Sequence, residues 1–138
     1  MISDGKQVCL FGGPKDREVA QQIIDTLPSK LRNYCFNLAG ETSLNDAVDM
    51  LASCDTVFSN DSGLMHVAAA VGASIVAIYG SSSPLYTPPL STKVAIVNTD
   101  AECRPCFKRE CPLGHLKCLN ELLPAQVIAA YSKLTSTK

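Results

Sequence analysis

The sequence alternates short apolar runs with segments of amphipathic helical pattern, and this alternation limits the possible folds more than any other feature. The first run, Gln7–Phe11, ends at two glycines and a proline, and Asp16–Leu27 after it has apolar residues at helical spacing. The pattern predicts further strands at Tyr34–Leu38, Thr56–Ser59, Ser74–Tyr79 and Lys93–Asn98. It predicts further helices at Ser62–Val71, at Pro124–Leu134 and after Ser43, which we expect to be the N-cap of its helix. Strands separated by single helices indicate parallel β-α-β units, so we predict an α/β fold with a Rossmann-like, doubly wound parallel sheet.

Length and composition restrict the class of protein further. A chain of 138 residues, 46% of them hydrophobic, has room for one domain with an apolar core, and we predict a single domain over residues 1–138. The formal charge of −1 gives no general attraction to nucleic acid, and we expect no nucleic-acid partner. No apolar run is long enough to span a bilayer and no secretory signal opens the sequence, so we expect a cytoplasmic protein.

The most informative motif is the turn between the third predicted strand and the helix after it. The first N–H groups of a helix have no partner within the helix, and with the helix dipole they form an anion site. Gly63 would let a phosphate approach the backbone, and Asp61 would accept hydrogen bonds from neighbouring hydroxyl groups. The pattern equally fits Asp61 or Ser62 as a simple helix cap. His66, one turn into the helix, fits a ligand contact, a packed side chain or an exposed one.

Two other segments at strand ends are weaker candidates. The turn Gly12–Asp16 lacks the spacing of a dinucleotide-binding or P-loop motif. Its Asp16 could accept hydrogen bonds from a ribose diol, or it could simply favour the positive end of the helix dipole. The loop Tyr79–Pro84 carries hydroxyl groups that fit either a pocket lining or an ordinary turn.

Four of the seven cysteines form a Cys-rich segment at residues 103–118. Their spacing, Cys103-x2-Cys106-x4-Cys111-x6-Cys118, could hold a zinc ion, although the second pair departs from the usual knuckle. Interleaved basic residues would offset the charge of the thiolates. Reduced structural thiols or a redox-sensitive pair are the alternatives, and an odd number of cysteines does not suit a closed disulfide framework.

Taken together, these motifs resemble the ADP-heptose:lipopolysaccharide heptosyltransferases, and among them the heptosyltransferase II type. The resemblance runs from about Gln7 to Leu134 and is most specific at Asn60–Ala70 and at Ala77–Pro84 with Thr87–Leu90 after it. The segment Cys103–Pro112 also resembles a variant seen in that family. Such enzymes are inverting, metal-independent glycosyltransferases of the GT-B fold, so the resemblance implies no cofactor. Their C-terminal half binds ADP-heptose, and their N-terminal half holds the acceptor.

Carried over residue by residue, the resemblance implies a donor site along the chain. It makes Asp61 the acid that holds the heptose hydroxyls, Ser62 and Gly63 the backbone that binds the diphosphate, and His66 a neighbour of the sugar-phosphate. Asp16 falls where the family has an acid that reaches the adenosine ribose. The residues that fall where the backbone lines the adenine pocket are Thr42, Ser43 and Leu44.

The resemblance covers the donor-binding half without two of the family's functional groups. The catalytic base belongs to the N-terminal half, and the basic residue that grips the diphosphate follows the first strand of the nucleotide half. Residues 1–6 resemble the tail of that domain's first helix, so we expect a GT-B fragment that lacks the first strand and has no catalytic residue of its own. The strands at Gln7–Phe11 and Thr56–Ser59 would then either pair with each other or each keep an unpaired edge.

The expected function is that of the donor-binding part of an enzyme that transfers L-glycero-D-manno-heptose to the lipopolysaccharide inner core. The acceptor would bind through the missing N-terminal domain, and the isolated chain would be inactive. The resemblance places the full-length enzyme at the inner face of the bacterial inner membrane, where a peripheral association could hold it. Two other functions fit the residues: a non-catalytic nucleotide-binding module, and an interaction domain stabilised by metal at the cysteine cluster.

Overall fold

The computed structural model describes residue 2 and residues 5–136, and its strands and helices alternate as predicted. Residues 1, 3 and 4, which belong to the predicted helix tail, and residues 137 and 138 lie outside the described residues. The five strands are β1 (Val8–Leu10), β2 (Cys35–Asn37), β3 (Thr56–Asn60), β4 (Ser74–Tyr79) and β5 (Val94–Asn98). The six α-helices are α1 (Arg17–Asp25), α2 (Ser29–Arg32), α3 (Leu44–Ser53), α4 (Gly63–Ala70), α5 (Lys117–Asn120) and α6 (Pro124–Ser136). A 3-10 turn at Pro14–Asp16 precedes α1, and neither it nor the short helices α2 and α5 were predicted.

The chain divides into two compact units, and the first, Met1–Asp49, is built on a two-stranded parallel sheet. Cys9 of β1 lies opposite Phe36 of β2. Helix α1 packs against β2 and buries Ala20 and Ile24, which stand four residues apart and therefore share one face of the helix. The turns that follow the two strands are joined by a hydrogen bond of 2.9 Å from the N–H of Gly40 to the carbonyl of Gly12.

The second unit, Met50–Lys138, is built on a three-stranded parallel sheet in the order β3-β4-β5. In the central strand β4, Ile75, Val76 and Ala77 are fully buried. Because successive side chains of a strand point to opposite faces, both faces of the sheet are covered at β4. Helix α4 packs on β3 and β4, and α6 packs on β4 and β5. The core comprises Leu51, Met65, Ala68, Ala69, Ala73, Ile75, Ala77 and Tyr79.

The outer strands are less covered than the continuous apolar runs of the sequence predicted. Phe58 in β3 and Ile96 in β5 keep 36% and 45% of their surface exposed, because these strands have a neighbour on one side only. In the described part of the chain, β1 pairs only with β2 and β3 pairs only with β4. Within its own sheet, each therefore has one edge without a partner strand among the described residues. Every described helix is too short or too polar to span a bilayer.

Candidate functional site

The start of helix α4 has three backbone N–H groups without a partner. Ser62 stands at the N-cap position with extended backbone angles, yet its side chain makes no hydrogen bond to the helix. Its Oγ instead lies 3.2 Å from the Oγ of Ser59. Within the described residues, no atom accepts a hydrogen bond from the N–H of Ser62, Gly63 or Leu64, whereas Met65 donates to the carbonyl of Ser62 at 3.1 Å. The helix start is therefore open to an anionic group.

Gly63, the first residue of α4, faces free space. A Cβ atom built on this glycine would meet no heavy atom within 4 Å, and the residue is exposed. The absence of a side chain thus serves no packing purpose in the described structure. It leaves the N–H groups of the first turn accessible to a group as large as a phosphate.

Asp61 lies between β3 and α4 and its carboxylate is held by another loop. Its Oδ2 accepts a hydrogen bond of 3.0 Å from the Oγ1 of Thr87, and its N–H donates to the carbonyl of Ile78 at 3.2 Å. The carboxylate does not cap α4, and its Oδ1 has no hydrogen-bond partner among the described residues. A half-buried carboxylate with free acceptor positions beside an open helix start can bind the hydroxyl groups of a ligand.

Tyr79 fixes the loop that supports Asp61, and the sequence analysis missed this role. The fully buried Tyr79 hydroxyl donates to the carbonyl of Thr87 at 2.5 Å and lies 3.8 Å from the sulfur of Met65. Burial, and after it the negative charge of Asp61, raises the pKa of Tyr79, so the hydroxyl stays protonated as a donor. A tyrosine at the end of a buried strand needs a partner for its hydroxyl, and this need is the signal that could have pointed to the loop.

His66 is exposed and lies one turn into α4. His66 is therefore not a packed core side chain, which was one of the three interpretations of this residue. The exposed position leaves the ligand contact and the solvent-facing reading open. A role beside a sugar-phosphate stays a prediction.

In the first unit, Asp16 closes its own turn. Its Oδ2 accepts a hydrogen bond of 2.8 Å from the N–H of Gly13 across the 3-10 turn. The exposed carboxylate keeps its Oδ1 without a partner in the described residues, so the contact to a ribose stays a prediction. The turn is compact, because a Cβ on Gly12 would come within 2.7 Å of the Cβ of Asp16.

The segment Thr42–Leu44 begins helix α3, where Ser43 and Asp46 cap the helix reciprocally. The N–H of Asp46 donates to the Oγ of Ser43 at 3.2 Å, and the N–H and Oγ of Ser43 donate to the Oδ2 of Asp46 at 2.8 and 2.6 Å. These bonds confirm Ser43 as the N-cap, and they lower the pKa of Asp46. Leu44 is 68% exposed and Thr42 is half-buried. Their predicted part in an adenine pocket stays a prediction.

The predicted site residues fall into two groups, one in each unit. Asp61, Ser62, Gly63 and His66 lie together at the turn from β3 into α4. In the first unit, the turn of Asp16 and the segment before Thr42 are joined through the bond between Gly12 and Gly40. Arg17 strengthens this junction, because its guanidinium donates to the carbonyl of Ala39 at 3.2 Å and pairs with Glu41 at 2.7 Å.

The four cysteines of residues 103–118 line one cavity of about 80 Å³ in the second unit, and all are free thiols. No three His, Cys, Asp or Glu side chains of the described residues are grouped as ligands for a metal ion. His115 lies on the cavity wall, and its Nδ1 accepts a hydrogen bond of 3.1 Å from the N–H of Lys117. Hydrogen bonding from backbone N–H groups of residues 113–116, that of Leu116 foremost, lowers the pKa of Cys111, although burial acts in the opposite direction.

Arg104 fastens the Cys-rich segment to its surroundings through backbone carbonyl groups. Its guanidinium donates to three carbonyl oxygens, those of Gly80, Thr99 and Ser82, at 2.5, 2.7 and 3.2 Å. The N–H of Phe107 adds a bond of 2.9 Å to the carbonyl of Ser81. The Cys-rich segment is thereby fastened to the loop that follows β4.

Comparison with known proteins points to one family. Residues 1–117 match the profile of glycosyltransferase family 9 (heptosyltransferase). The chain is 43% identical over 135 residues to lipooligosaccharide heptosyltransferase 2 of Haemophilus influenzae and 40% identical over 134 residues to lipopolysaccharide heptosyltransferase 2 of Escherichia coli. Both alignments cover 97% of this chain, but only 39% and 38% of the two relatives. The chain thus spans about two fifths of the length of the curated relatives it matches.

Solved structures agree with these relatives. The chain is similar to the structure of Escherichia coli ADP-heptose LPS heptosyltransferase II, with a TM-score of 0.70 and 40% identity, over 94% of this chain and 39% of that one. It is also similar to a glycosyl transferase of family 9 from Veillonella parvula, with a TM-score of 0.80 and 26% identity, over 99% of this chain and 38% of that one. Both matches confirm the α/β fold and its partial extent. The chain belongs to glycosyltransferase family 9, the heptosyltransferase family.

Proposed function

We propose that this chain is the donor-binding part of a heptosyltransferase and that it binds ADP-heptose at the start of α4. The observation that carries the proposal is the uncapped helix start beside the carboxylate of Asp61. The names of the relatives, heptosyltransferase 2, and of the structure similar to the chain, an ADP-heptose LPS heptosyltransferase, support the choice of donor.

The diphosphate of the donor binds at the backbone of Ser62 and Gly63. Three N–H donors that have no partner among the described residues, together with the positive end of the helix dipole, favour a group with two negative phosphates. Open space over Gly63 admits the phosphates without a rearrangement of the helix. His66, exposed one turn further along α4, neighbours the sugar-phosphate.

The heptose binds beside the diphosphate, where its hydroxyl groups donate to Asp61. The carboxylate repels phosphate, so its place next to the helix start is suited to a ligand that carries hydroxyl groups beyond its phosphates. The hydroxyl of Tyr79 holds the carbonyl of Thr87 in place. The hydroxyl of Thr87 in turn orients one carboxylate oxygen of Asp61 and leaves the other for the sugar. The site therefore distinguishes a nucleotide-sugar from a bare nucleotide.

We assign the binding of the nucleoside to the first unit because of the family resemblance and because of the side chain and backbone groups in the turns of that unit. Asp16 keeps one carboxylate oxygen for the ribose, and the backbone of Thr42, Ser43 and Leu44 lines the adenine pocket. The capping bonds of Ser43 hold this backbone in place without using its carbonyl groups.

Transfer of heptose to the lipopolysaccharide inner core is proposed for the enzyme that includes the N-terminal part found in the relatives. That part holds the acceptor and the catalytic base, and the whole enzyme acts at the inner face of the inner membrane. The 138 residues by themselves are expected to give no heptosyl transfer above background, since general-base catalysis typically contributes about 100- to 10,000-fold in rate. Turnover by this chain would show that the base lies within it.

The donor site is tested by titrating the isotope-labelled chain with ADP-heptose and with ADP while following the backbone amides of residues 61–66. We expect saturable shifts of these amides with both ligands and a higher affinity for ADP-heptose. Equal affinity for both ligands would support the non-catalytic nucleotide-binding module instead. Shifts confined to other parts of the chain would remove the site at α4.

A further inference from the structure

The Cys-rich segment places four thiols around one small enclosed space. Cys103, Cys106, Cys111 and Cys118 line the cavity of about 80 Å³, and none of them forms a disulfide. This volume has room for a few water molecules. Packing alone does not require cysteine at these four positions, because a small apolar residue would fill the cavity wall equally well.

The environment of Cys111 distinguishes it from the other three thiols. Hydrogen bonding from backbone N–H groups of this turn, that of Leu116 foremost, lowers the pKa of Cys111 although burial opposes the shift, and Gly114 and Leu116 adopt left-handed backbone angles there, with φ of 70° and 49°. Hydrogen bonds from several N–H groups stabilise a thiolate over a thiol. The residue is half-buried, so small reagents in solution can reach it.

Positive charge on the cavity wall also favours the thiolate form of Cys111. Lys108 and Arg109 line the cavity, and both are exposed residues that make no ion pair within the described part of the chain. Arg104, the third basic residue on the wall, is held on three carbonyl oxygens. A thiolate among cationic and N–H groups, with further thiols on the same cavity, has the arrangement of a reactive thiol beside partners for a disulfide.

We propose that the Cys-rich cavity is a thiol oxidation site in which Cys111 reacts with a hydroperoxide and one of the other cavity thiols completes a disulfide. The thiolate of Cys111 attacks one oxygen of hydrogen peroxide, so that an S–O bond forms, the O–O bond breaks and hydroxide leaves as water after taking a proton. The second thiol attacks the sulfur of the resulting sulfenic acid, forming the S–S bond and releasing a second water. Two thiols thereby lose two electrons and the peroxide gains them.

Alkylation rates test the first half of the proposal without any variant. At neutral pH we expect iodoacetamide to modify Cys111 at least about tenfold faster than Cys103, Cys106 or Cys9, which are half-buried as well. Cys9 is a suitable internal standard, because burial raises its pKa. The rates are measured by mass spectrometry of peptides after timed quenching. Equal rates at Cys111 and Cys9 overturn the proposal.

Treatment of the reduced chain with one equivalent of hydrogen peroxide tests the second half. We expect a loss of two hydrogen atoms in the intact mass, and a disulfide from Cys111 to Cys103, Cys106 or Cys118 in the peptide map. Cys111→Ser should abolish this product, whereas Cys9→Ser should leave it unchanged. A disulfide that forms equally in Cys111→Ser contradicts the role of Cys111, and so does a stoichiometric zinc ion that protects all four cysteines.

Discussion

Helices α3 and α4 both begin at a serine that follows a strand and a turn, but the two helix starts are built in opposite ways. At α3, Ser43 and Asp46 bind each other's backbone, so the N–H groups of both residues have acceptors and the helix start is capped. At α4, the side chain of Ser62 turns to Ser59 and the first N–H groups stay without partners. The same residue type at the same position therefore caps the helix in one case and leaves the first N–H groups accessible in the other.

The difference lies in the third residue after the serine. Asp46 at α3 can reach back to the serine, whereas Met65 at the same place in α4 is fully buried in the core. The acid near α4 precedes the serine, and Asp61 in that position binds the loop at Thr87 rather than the helix. A capping box closes a helix start only when its acid lies inside the first turn.

The largest effect is expected from Gly63→Val, which covers the open helix start. A branched side chain there obstructs more than one N–H group, and each hydrogen bond to a charged ligand contributes about 1.5–3 kcal/mol, so ADP should bind about 100-fold more weakly or worse. The thermal midpoint should barely change, because a Cβ at this position meets no atom within 4 Å. Calorimetric titration with ADP measures the loss. An unaltered affinity in a folded variant would mean that the phosphates bind elsewhere.

The next largest effect is expected from Asp61→Ala, which should weaken the binding of the heptose and leave the binding of the nucleotide intact. Loss of a carboxylate that accepts from heptose hydroxyls should weaken ADP-heptose binding by roughly 10- to 100-fold, since such bonds contribute about 1.5–3 kcal/mol. ADP, which has no heptose, should bind at least as well as before. The two titrations are compared directly in one calorimeter. Equal losses for both ligands would assign Asp61 a structural role only.

A smaller effect, on the free energy of unfolding, should distinguish Ser43 from Ser62. Ser43→Ala should lower the free energy of unfolding by about 1 kcal/mol, the usual contribution of an N-cap, because the N–H of Asp46 loses its acceptor. Ser62→Ala is the matched control and should change the free energy of unfolding by less than about 0.5 kcal/mol, because its side chain caps nothing. Urea unfolding of both variants measures the difference. A larger cost at Ser62 than at Ser43 would reverse the comparison.

The smallest expected effect is a pH dependence of the stability that Asp46 gives to the start of α3. Hydrogen bonds from Ser43 lower the pKa of Asp46, so its stabilising contribution is present above the ordinary carboxyl pKa, near 4, and disappears as the pH falls through the lowered value. Asp46→Asn should therefore be less stable than the natural chain at neutral pH, and this difference should shrink in acid. Unfolding curves at several pH values follow it. A difference that stays constant with pH would show that ionised Asp46 does not stabilise α3.

Much of the fold and part of the site could be predicted from local pattern. The five strands and the helices α1, α3, α4 and α6 lie where hydrophobic period and turn residues indicated them, within a few residues. An anion site at the turn of Gly63 was one of two interpretations of an adjacent strand, acid and glycine at a helix start, and a simple helix cap was the other. The identity of the donor came from the resemblance, since no period or spacing specifies a sugar.

The contacts that support the site could not be predicted, because they join residues far apart in the sequence. Thr87 reaches Asp61 across 26 residues, and Arg104 reaches Gly80 across 24. Helix α2 is four residues long, which is too short for a helical period to show. The N-cap at Ser43 was predicted, but the missing cap at Ser62 depends on where one side chain turns after folding.

The attachment of Arg104 has a consequence for how this chain can vary. The guanidinium contacts only backbone carbonyl oxygens, those of Gly80, Ser82 and Thr99, so it is indifferent to the side chains at these three positions. The arginine itself has no equivalent, because the single ammonium of lysine cannot match a planar fork of donors. The bonds themselves should thus survive substitutions on the receiving side that keep the backbone path, although a Cβ at Gly80 would come within 2.8 Å of the side chain of Leu119. The donating side admits one amino acid. The residues that receive these bonds can therefore change over evolutionary time more freely than Arg104, on which the attachment of the Cys-rich segment depends.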